Sequence, residues 1–188
     1  MKQFVLLAGF LMGMIMLRAQ PPAATSTLDN SPLDMSYYPA NYPVLKIQDK
    51  VNEPLIARVV YSRPQKRGRK LFGDLINYGE IWRLGANEAT EIEFFRDVKV
   101  DNKVIKKGRY TVYALVNEDK WILIFNKETD TWGAFRYDSA KDILRATVPV
   151  EKQDSVTEAF SIAFQKAQKG ADLVITWDDV LVRLPISW

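Results

Sequence analysis

The sequence of 188 residues contains no cysteine and no histidine. Without cysteine no disulfide can cross-link the chain, so its stability has to come from a hydrophobic core. The chain also cannot hold zinc through thiolate or imidazole ligands, nor build a Ser-His-Asp or Cys-His nucleophile. Any catalysis would therefore rest on carboxylates, hydroxyls, Lys or Arg, or on a hard metal with oxygen ligands.

The sequence also has no apolar stretch of transmembrane length. The apolar run over residues 4–17 has about 14 residues, whereas a membrane-spanning helix needs roughly 20. Lys2 precedes this run, and Arg18 and Ala19 follow it, which is the pattern of a secretory signal peptide cleaved after Ala19. An uncleaved anchor is the alternative. We therefore predict that residues 1–19 are a signal peptide. The mature protein would be exported to the periplasm or outside the cell, without a transmembrane helix.

A strong basic surplus is missing as well. Removal of Lys2 and Arg18, with no acidic residue, lowers the formal charge from +3 to about +1. Domains that bind nucleic acids normally carry a clear excess of Lys and Arg. The charge and the predicted export together indicate that nucleic acid is not a partner.

The mature chain divides into a short N-terminal part and one domain. Residues 20–43 are rich in proline, with Ser, Thr and Asn in between, which argues against a helix or a central strand. We predict a linker or an ordering arm there. Residues 44–188 are numerous enough for a single domain with its own core.

From Leu55 onward, short apolar or alternating segments recur between polar turns, which is typical of β-strands. Residues 120–126 are apolar on both faces and predict a central, buried strand. Asp178 and Asp179 separate the last two segments and predict a hairpin turn. About nine strands without helical periodicity predict an all-β fold, a β-sandwich or jelly-roll, with an up-and-down barrel as the alternative. We expect one short helix, near residues 70–77.

The insertion over residues 61–90 departs from this regular pattern. It holds two basic clusters, four glycines, a Trp-Arg pair and an Asn-Glu pair. Long irregular connections between strands are usually functional or disordered. This one contains too many aromatic and aliphatic residues for disorder. We therefore predict that the functional surface lies in this insertion.

Trp82, Arg83, Asn87 and Glu88 place an indole, a guanidinium, a carboxamide and a carboxylate within one short stretch. The planar fork of Arg83 can clamp an anionic or polyhydroxyl ligand, and Glu88 can act as a base or an oxygen ligand. The alternative is structural. Arg83 and Glu88 would then form an ion pair that closes a loop, and Asn87 would cap backbone groups.

Five cations lie within eight residues: Arg63, Lys66, Arg67, Arg69 and Lys70. Such a cluster can bind phosphate, sulfate or a polyanionic glycan. The alternative is a solvated face without a ligand. Arg63 ends a predicted strand, and it is our first candidate to converge with Glu88.

Aromatic residues offer a second type of contact. Trp132 lies between the polar turn of residues 126–131 and Gly133, which makes it a better candidate for sugar stacking than Trp121. Trp121 lies in a strand that is predicted to be core.

Carboxylates could support hydrolysis or hold calcium. The acids to consider for a two-carboxylate hydrolase are Glu80, Glu88, Asp130 and Asp138. That chemistry needs two carboxyl groups roughly 5–10 Å apart, a separation that sequence does not supply. Asp130 and the Asp178-Asp179 pair are possible calcium ligands, but neither has the spacing of a known loop.

The longest unusual motifs lie in residues 61–64, 68–73, 78–90, 125–127 and 132–135. In these motifs the chain resembles a bacterial family of exported proteins that is catalogued as domain of unknown function 2911. The likeness runs from about residue 31, and clearly from residue 55, to residue 184. It implies an exported β-rich domain, sometimes joined to repeat domains in longer relatives. The resemblance implies no established reaction, ligand or catalytic residue.

We therefore predict a non-catalytic binding module in which the 61–90 insertion and the 126–138 loop form one polar cleft with an aromatic rim. The candidate ligand-binding residues are Arg63, Trp82, Arg83, Asn87, Glu88 and Trp132. The expected partner is a carbohydrate or another polyanion of the cell envelope, and we expect neither cofactor nor metal. One alternative is a histidine-free hydrolase with Glu88 as base and Arg83 as electrostatic stabiliser. The other is a structural envelope protein.

Overall fold

The computed structural model describes residues 27–188. The predicted signal peptide lies outside the described residues and stays a prediction. The elements in chain order are β1 Leu33–Tyr38, α1 Tyr42–Ile47, β2 Ala57–Ser62, β3 Ile81–Trp82, β4 Glu91–Phe94, β5 Val98–Val100, β6 Lys103–Ile105, β7 Gly108–Val116, β8 Lys120–Asn126, β9 Asp142–Pro149, β10 Glu151–Ala167 and β11 Gly170–Ser187. A single 3-10 turn, Ser139–Lys141, precedes β9.

The strands form two antiparallel sheets. The first has the order β1-β2-β4-β7-β8-β9, with β3 paired to β7, and the second has the order β10-β11-β5-β6. The inward faces of both sheets meet in one core, to which the first sheet contributes Phe94 and Phe125 and the second Phe160 and Ile175. This arrangement confirms the predicted all-β sandwich. The two sheets remain separate rather than closing into the barrel that was the alternative.

Strand β8 is central and covered on both faces, as its apolar pattern predicts. Trp121, Leu123 and Phe125 face the main core. On the opposite face, Ile124 joins a smaller apolar cluster with Tyr113. The loop after β8 packs against this second cluster.

The prediction of a hairpin turn at Asp178-Asp179 is wrong. Both residues lie inside the single strand β11, which pairs with β10 from Gly170 opposite Ala167 to Leu181 opposite Glu151, and the turn between these strands is at residues 168–169. Asp178 has a left-handed φ of 57° and pairs with Thr157 where the register shifts, so it marks a β-bulge rather than a turn. A Cβ placed on Gly170 would collide with the carbonyl oxygen of Ile186, so β11 bends strongly and its two ends approach each other.

The short helix is present but lies elsewhere than predicted. It spans Tyr42–Ile47, and a proline occupies its first turn, where the missing amide hydrogen costs nothing. The prediction of a helix near residues 70–77 is wrong. That stretch is a tight turn in which the Ile76 amide donates to the Leu71 carbonyl and the Gly73 amide to the Ile76 carbonyl. Gly73 has a φ of 80°, which a right-handed helix does not allow.

Part of the proline-rich segment 20–43 belongs to the sandwich. Strand β1 pairs with β2 from Leu33 opposite Ser62 to Tyr38 opposite Ala57. The pairing places residues 33–38 in the first sheet, before the predicted domain start at residue 44. It also brings the residues just before β1 alongside the 61–90 insertion.

Candidate functional site

The site segment, which we define as residues 82–90, is fixed by main-chain and hydroxyl contacts. It starts where Trp82 of β3 pairs with β7. Thr90 closes it, because its amide donates to the Arg83 carbonyl at 3.1 Å and its Oγ1 to the Leu84 carbonyl at 2.5 Å. Leu84 is fully buried with a φ of 57°, a left-handed conformation that a bulky residue adopts only when its surroundings impose it. The site segment is therefore a rigid element.

The aromatic loop, which we define as residues 127–138, lies directly against the site segment. The Ala89 amide donates to the Thr131 carbonyl at 3.0 Å, and the Gly133 amide donates to the Asn87 carbonyl at 2.9 Å. These two bonds join segments that are distant in sequence. They bring together the two regions that the sequence analysis placed in one cleft.

Trp132 is the exposed aromatic residue at this junction. It faces Glu88 in an isolated antiparallel bridge, between the two hydrogen bonds that flank it. Its side chain is nevertheless 61% exposed. A large apolar side chain on a fixed backbone, open to solvent and bordered by polar groups, is a feature of interaction surfaces.

A network of polar contacts with β7 and β9 fixes the aromatic loop. The Tyr137 ring contacts the Tyr113 ring edge-on at 5.1 Å between centroids, and the Tyr113 and Thr131 hydroxyls are hydrogen-bonded at 3.1 Å. The Tyr137 hydroxyl donates to Asp142 Oδ2 at 2.6 Å. Burial, followed by the hydrogen bond to the Asp142 carboxylate, raises the pKa of Tyr137 to about 12. Tyr137 therefore stays protonated at neutral pH and serves as a support rather than as a base.

Arg83 borders a cavity of about 310 Å³ whose aromatic walls are Trp82 and Trp177. Other lining residues are Ser31, Pro64, Arg69, Leu75, Ile76 and Ala86. The Arg83 Nε is buried and has no hydrogen-bond partner among residues 27–188. Within the same part of the chain Arg83 forms no ion pair with a carboxylate.

The charge of Arg83 is partly removed from water. Burial lowers the pKa of the Arg83 guanidinium from its ordinary value, because the charged form loses hydration. An arginine side chain still keeps its proton at neutral pH. The cavity therefore contains a positive charge that residues 27–188 do not neutralise.

The structure does not show the ion pair between Arg83 and Glu88 that was the structural alternative. Glu88 is exposed and, within residues 27–188, takes part in no salt bridge. Hydrogen bonds from Thr90 close the segment instead. The two charges therefore remain open to a ligand.

A second cavity of about 440 Å³ adjoins the first. It is lined by Asp29, Ser31, Leu33, Asn87, Glu88 and Trp132, among others. Ser31 lines both cavities, so they are neighbours. Asn87 Nδ2 donates to Asp29 Oδ2 at 3.0 Å, which ties the site segment to the residues before β1. We define the binding face as Ser31, Arg83, Asn87, Glu88 and Trp132.

Trp82 is a core residue that also forms a wall of the first cavity. Its ring is only 7% exposed and lies parallel to Trp177, with 6.1 Å between centroids and 13° between planes. The Trp82 Nε1 donates to the Gly85 carbonyl at 3.1 Å. The indole nitrogen is thus occupied, and Trp82 offers a ligand its ring surface alone.

Arg63 does not converge with Glu88, contrary to our expectation. Its Nη1 binds Asp34 Oδ2 at 3.0 Å, and its Nε donates to the Phe160 carbonyl at 3.2 Å. The reason is the register of β1 against β2, which places Asp34 opposite Tyr61. Arg63 joins β1 to β10 and lies outside the binding face.

The basic segment, which we define as residues 63–70, is also attached to the fold beyond Arg63. Lys66 Nζ binds Asp178 Oδ1 at 2.5 Å, and both side chains are largely buried. The Arg67 amide donates to a carboxylate oxygen of Glu158 at 2.7 Å. These contacts hold the basic segment along β10 and the bulge of β11, so the segment is not simply a solvated run of charge.

The carboxylates considered for hydrolysis are mostly engaged. Asp130 binds Arg109, and Asp138 caps the 3-10 turn through the Ala140 amide. Glu88 and Asp130 share a cavity of about 140 Å³. That volume lies below the roughly 300–1,000 Å³ of small-molecule sites. The geometry therefore does not favour a two-carboxylate hydrolase over a binding site.

Sequence reasoning missed Trp177 and Ser31 as parts of the site. Trp177 lies in a strand that was assigned to the core, and the stacking of its ring on Trp82 is a contact between distant segments. Ser31 lies in the proline-rich segment that we interpreted as a linker or arm. The alternation of residues 33–38 is the signal that could have placed this part of the chain in the sheet.

Residues 43–186 match the family described as protein of unknown function DUF2911. The chain belongs to this family. The match spans β2 to β11 and includes both the site segment and the aromatic loop. Comparison with curated proteins gives no match, and comparison with solved structures gives none either.

Two further features bear on the predicted partners. No helix in residues 27–188 is long and apolar enough to cross a bilayer. Within the same residues no three acidic side chains are grouped as a metal ion would require. Asp178 and Asp179, considered above for calcium, instead bind Lys66 and Lys152.

Proposed function

We propose that this family member is an exported, non-catalytic binding module for a glycan or another ligand of the cell envelope. The signal-peptide pattern of residues 1–19 supports export. The binding face supports the ligand class. Its indole, carboxylate, carboxamide and guanidinium are the groups with which proteins stack on sugar rings and hydrogen-bond their hydroxyls.

The observation that carries the proposal is the setting of Trp132. Its indole is 61% exposed, although the residues on both sides of it are hydrogen-bonded to the site segment. A flexible loop would allow the ring to fold onto the protein surface. A ring that is held out by a fixed backbone loses little conformational freedom when a ligand stacks on it.

The polar partners of such a ligand are fixed beside the indole. Asn87 has a φ of 57° and is anchored to Asp29, so its position is defined before binding. Glu88 lies opposite Trp132. Carboxylate and carboxamide groups next to an aromatic platform suit a ligand with many hydroxyls.

The test is isothermal titration calorimetry of the mature protein against purified oligosaccharides, both neutral and acidic, and against soluble peptidoglycan fragments. We expect Trp132→Ala to weaken binding about tenfold or more, as loss of a central aromatic anchor does. Trp188→Ala is the matched control, since that indole is 37% exposed but packs on Tyr38. We expect it to bind as the parent does.

Two results would contradict the proposal. The first is that none of these ligands binds. The second is that Trp132→Ala and Trp188→Ala bind equally well. Release of new reducing ends that Glu88→Gln abolishes would instead establish the hydrolase alternative.

A further inference from the structure

Arg83 is the one arginine among residues 27–188 with a buried side-chain nitrogen that lacks a hydrogen-bond partner. Ion pairs with carboxylates are formed by Arg58, Arg63, Arg109, Arg145 and Arg183. Arg83 forms none within residues 27–188, although its Nε is buried. The arginines at positions 67, 69, 96 and 136 also form no ion pair in this part of the chain, but they are exposed. Burying a charge without a partner opposes folding. An unpaired buried group in a cavity is therefore a candidate for ligand binding.

A second unpartnered polar atom lies close to the same place. Ser62 Oγ is buried without a hydrogen-bond partner among residues 27–188. The Ser62 carbonyl oxygen lies 3.4 Å from the position that a Cβ on Gly85 would occupy. Gly85 itself lines the Arg83 cavity. Ser62 therefore lies behind Gly85, although it is not one of the residues that line the cavity.

The chemistry of the cavity selects the kind of anion. A guanidinium presents a planar fork that matches the two oxygens of a carboxylate. The neighbouring cation, Arg69, already donates through Nε and Nη2 to the carbonyls of Lys66 and Gln65. Arg69 keeps its charge, but Arg83 is the lining guanidinium with a buried nitrogen that has no partner among residues 27–188. One free fork matches the two oxygens and the single charge of a carboxylate, and phosphate is the competing anion that the experiment tests.

The shape of the cavity and its neighbours indicate what carries that carboxylate. The cavity of about 310 Å³ lies at the lower end of the range for small-ligand sites. Trp82 and Trp177 line the cavity with apolar surface, although both rings are packed in the core and are only 7% and 2% exposed. Ser31 lines this cavity and the one beside Trp132, so a sugar held at Arg83 lies next to the cavity of the exposed indole.

We infer that Arg83 binds the carboxylate of an acidic sugar, which makes the module selective for glycans that contain uronic acids. The identification of the ligand as a glycan rests on the proposed function. The anion site rests on Arg83 and its cavity alone.

The experiment compares acidic and neutral forms of one ligand. An oligogalacturonate of defined length and its methyl ester are titrated into the mature protein at constant ionic strength. We expect the acid to bind about tenfold more tightly than the ester, which is the order of a charge-assisted hydrogen bond. Arg83→Met should abolish this preference, so that the acid and the ester bind to the variant equally. Arg67→Met removes the same charge from an exposed position and should keep the preference.

Several results overturn the inference. One is equal binding of acid and ester by the parent protein, and another is a preference that survives in Arg83→Met. A third is inorganic phosphate that displaces the acid and binds about tenfold more tightly, which would define a phosphate site instead.

A separate probe distinguishes failure of this inference from failure of the proposed function. Glucuronate and glucose are titrated while the intrinsic tryptophan emission, to which Trp82 and Trp177 at the cavity contribute, is followed. Quenching by glucuronate that requires Arg83, without binding of any oligosaccharide, supports the anion site and contradicts the glycan module. No response to glucuronate contradicts the anion site, whether or not neutral oligosaccharides bind.

Discussion

The basic segment and the site segment are both dense in charge, and the fold uses them in opposite ways. In the basic segment, Arg63 and Lys66 bind Asp34 and Asp178, which lie on other strands. In the site segment, Arg83 has no partner within residues 27–188 although its Nε is buried. The first set of charges holds strands together, whereas Arg83 has no partner within the described residues.

The comparison shows that charges clustered in the sequence can be paired across the fold, whereas a single arginine in a cavity is left without a partner among residues 27–188. The basic segment crosses from the first sheet to the second, and its main chain bonds to β10 through Lys66 and Glu158. Its cations are then close to the acids of both sheets. Hydrogen bonds between uncharged groups close the site segment, so the fold does not need its charged side chains for this closure. The four predictions below test this difference.

The largest effect is expected where the site segment begins. Trp82→Ala removes a ring that packs on Trp177 and on Phe160, so we expect a loss of about 4 kcal/mol in the free energy of unfolding. Urea denaturation followed by circular dichroism measures it. Trp132→Ala makes the same change at the exposed indole and should cost less than about 0.5 kcal/mol. Similar losses in both variants would mean that Trp132 is structural.

The next effect concerns the basic segment. Lys66→Met keeps the length of the side chain and removes the charge, so Asp178 loses its partner in a partly buried setting. We expect a loss of about 2 kcal/mol, less than for a fully buried pair. Lys70→Met alters an exposed cation of the same segment and should change stability by less than about 0.5 kcal/mol. A Lys66→Met variant as stable as the parent would show that the segment is only a solvated face.

A smaller effect tests whether uncharged bonds close the site segment. Thr90→Val removes the hydroxyl that donates to the buried Leu84 carbonyl at 2.5 Å. We expect a loss of about 1.5 kcal/mol, because a buried acceptor is left unsatisfied. Thr147→Val, at an exposed position of β9, is the control and should leave stability nearly unchanged. If Thr90→Val also behaves like the control, other contacts hold the segment.

Local patterns predicted most of the sandwich. The alternation in β4 and the two apolar faces of β8 depend on near neighbours in the sequence, and the structure confirms both strands. The Asp178-Asp179 turn was wrongly predicted, because a pair of acidic residues within a strand at a β-bulge has the same local pattern as a hairpin turn. The short helix was misplaced because prolines were taken to exclude a helix from residues 42–47, although proline fits the first turn.

The location of the site was predictable, but which of its charged residues form ion pairs was not. Trp82, Arg83, Asn87, Glu88 and Trp132 come together because the site segment and the aromatic loop are bonded to each other. Which charges remain unpaired depends on β-sheet register. The partner of Arg63 lies on β1, a strand that the sequence analysis did not predict, and no local pattern shows that Arg83 lacks one.

The most direct test of the central claim compares Arg83→Met with Arg63→Met in urea denaturation without added ligand. The account predicts that Arg63→Met lowers the free energy of unfolding by about 1 kcal/mol, since it breaks a partly exposed pair. It predicts that Arg83→Met leaves stability unchanged or raises it by up to about 1 kcal/mol, since an unpaired and partly buried charge is removed. A loss of about 2 kcal/mol or more in Arg83→Met would show that this arginine serves the fold, and would contradict the account.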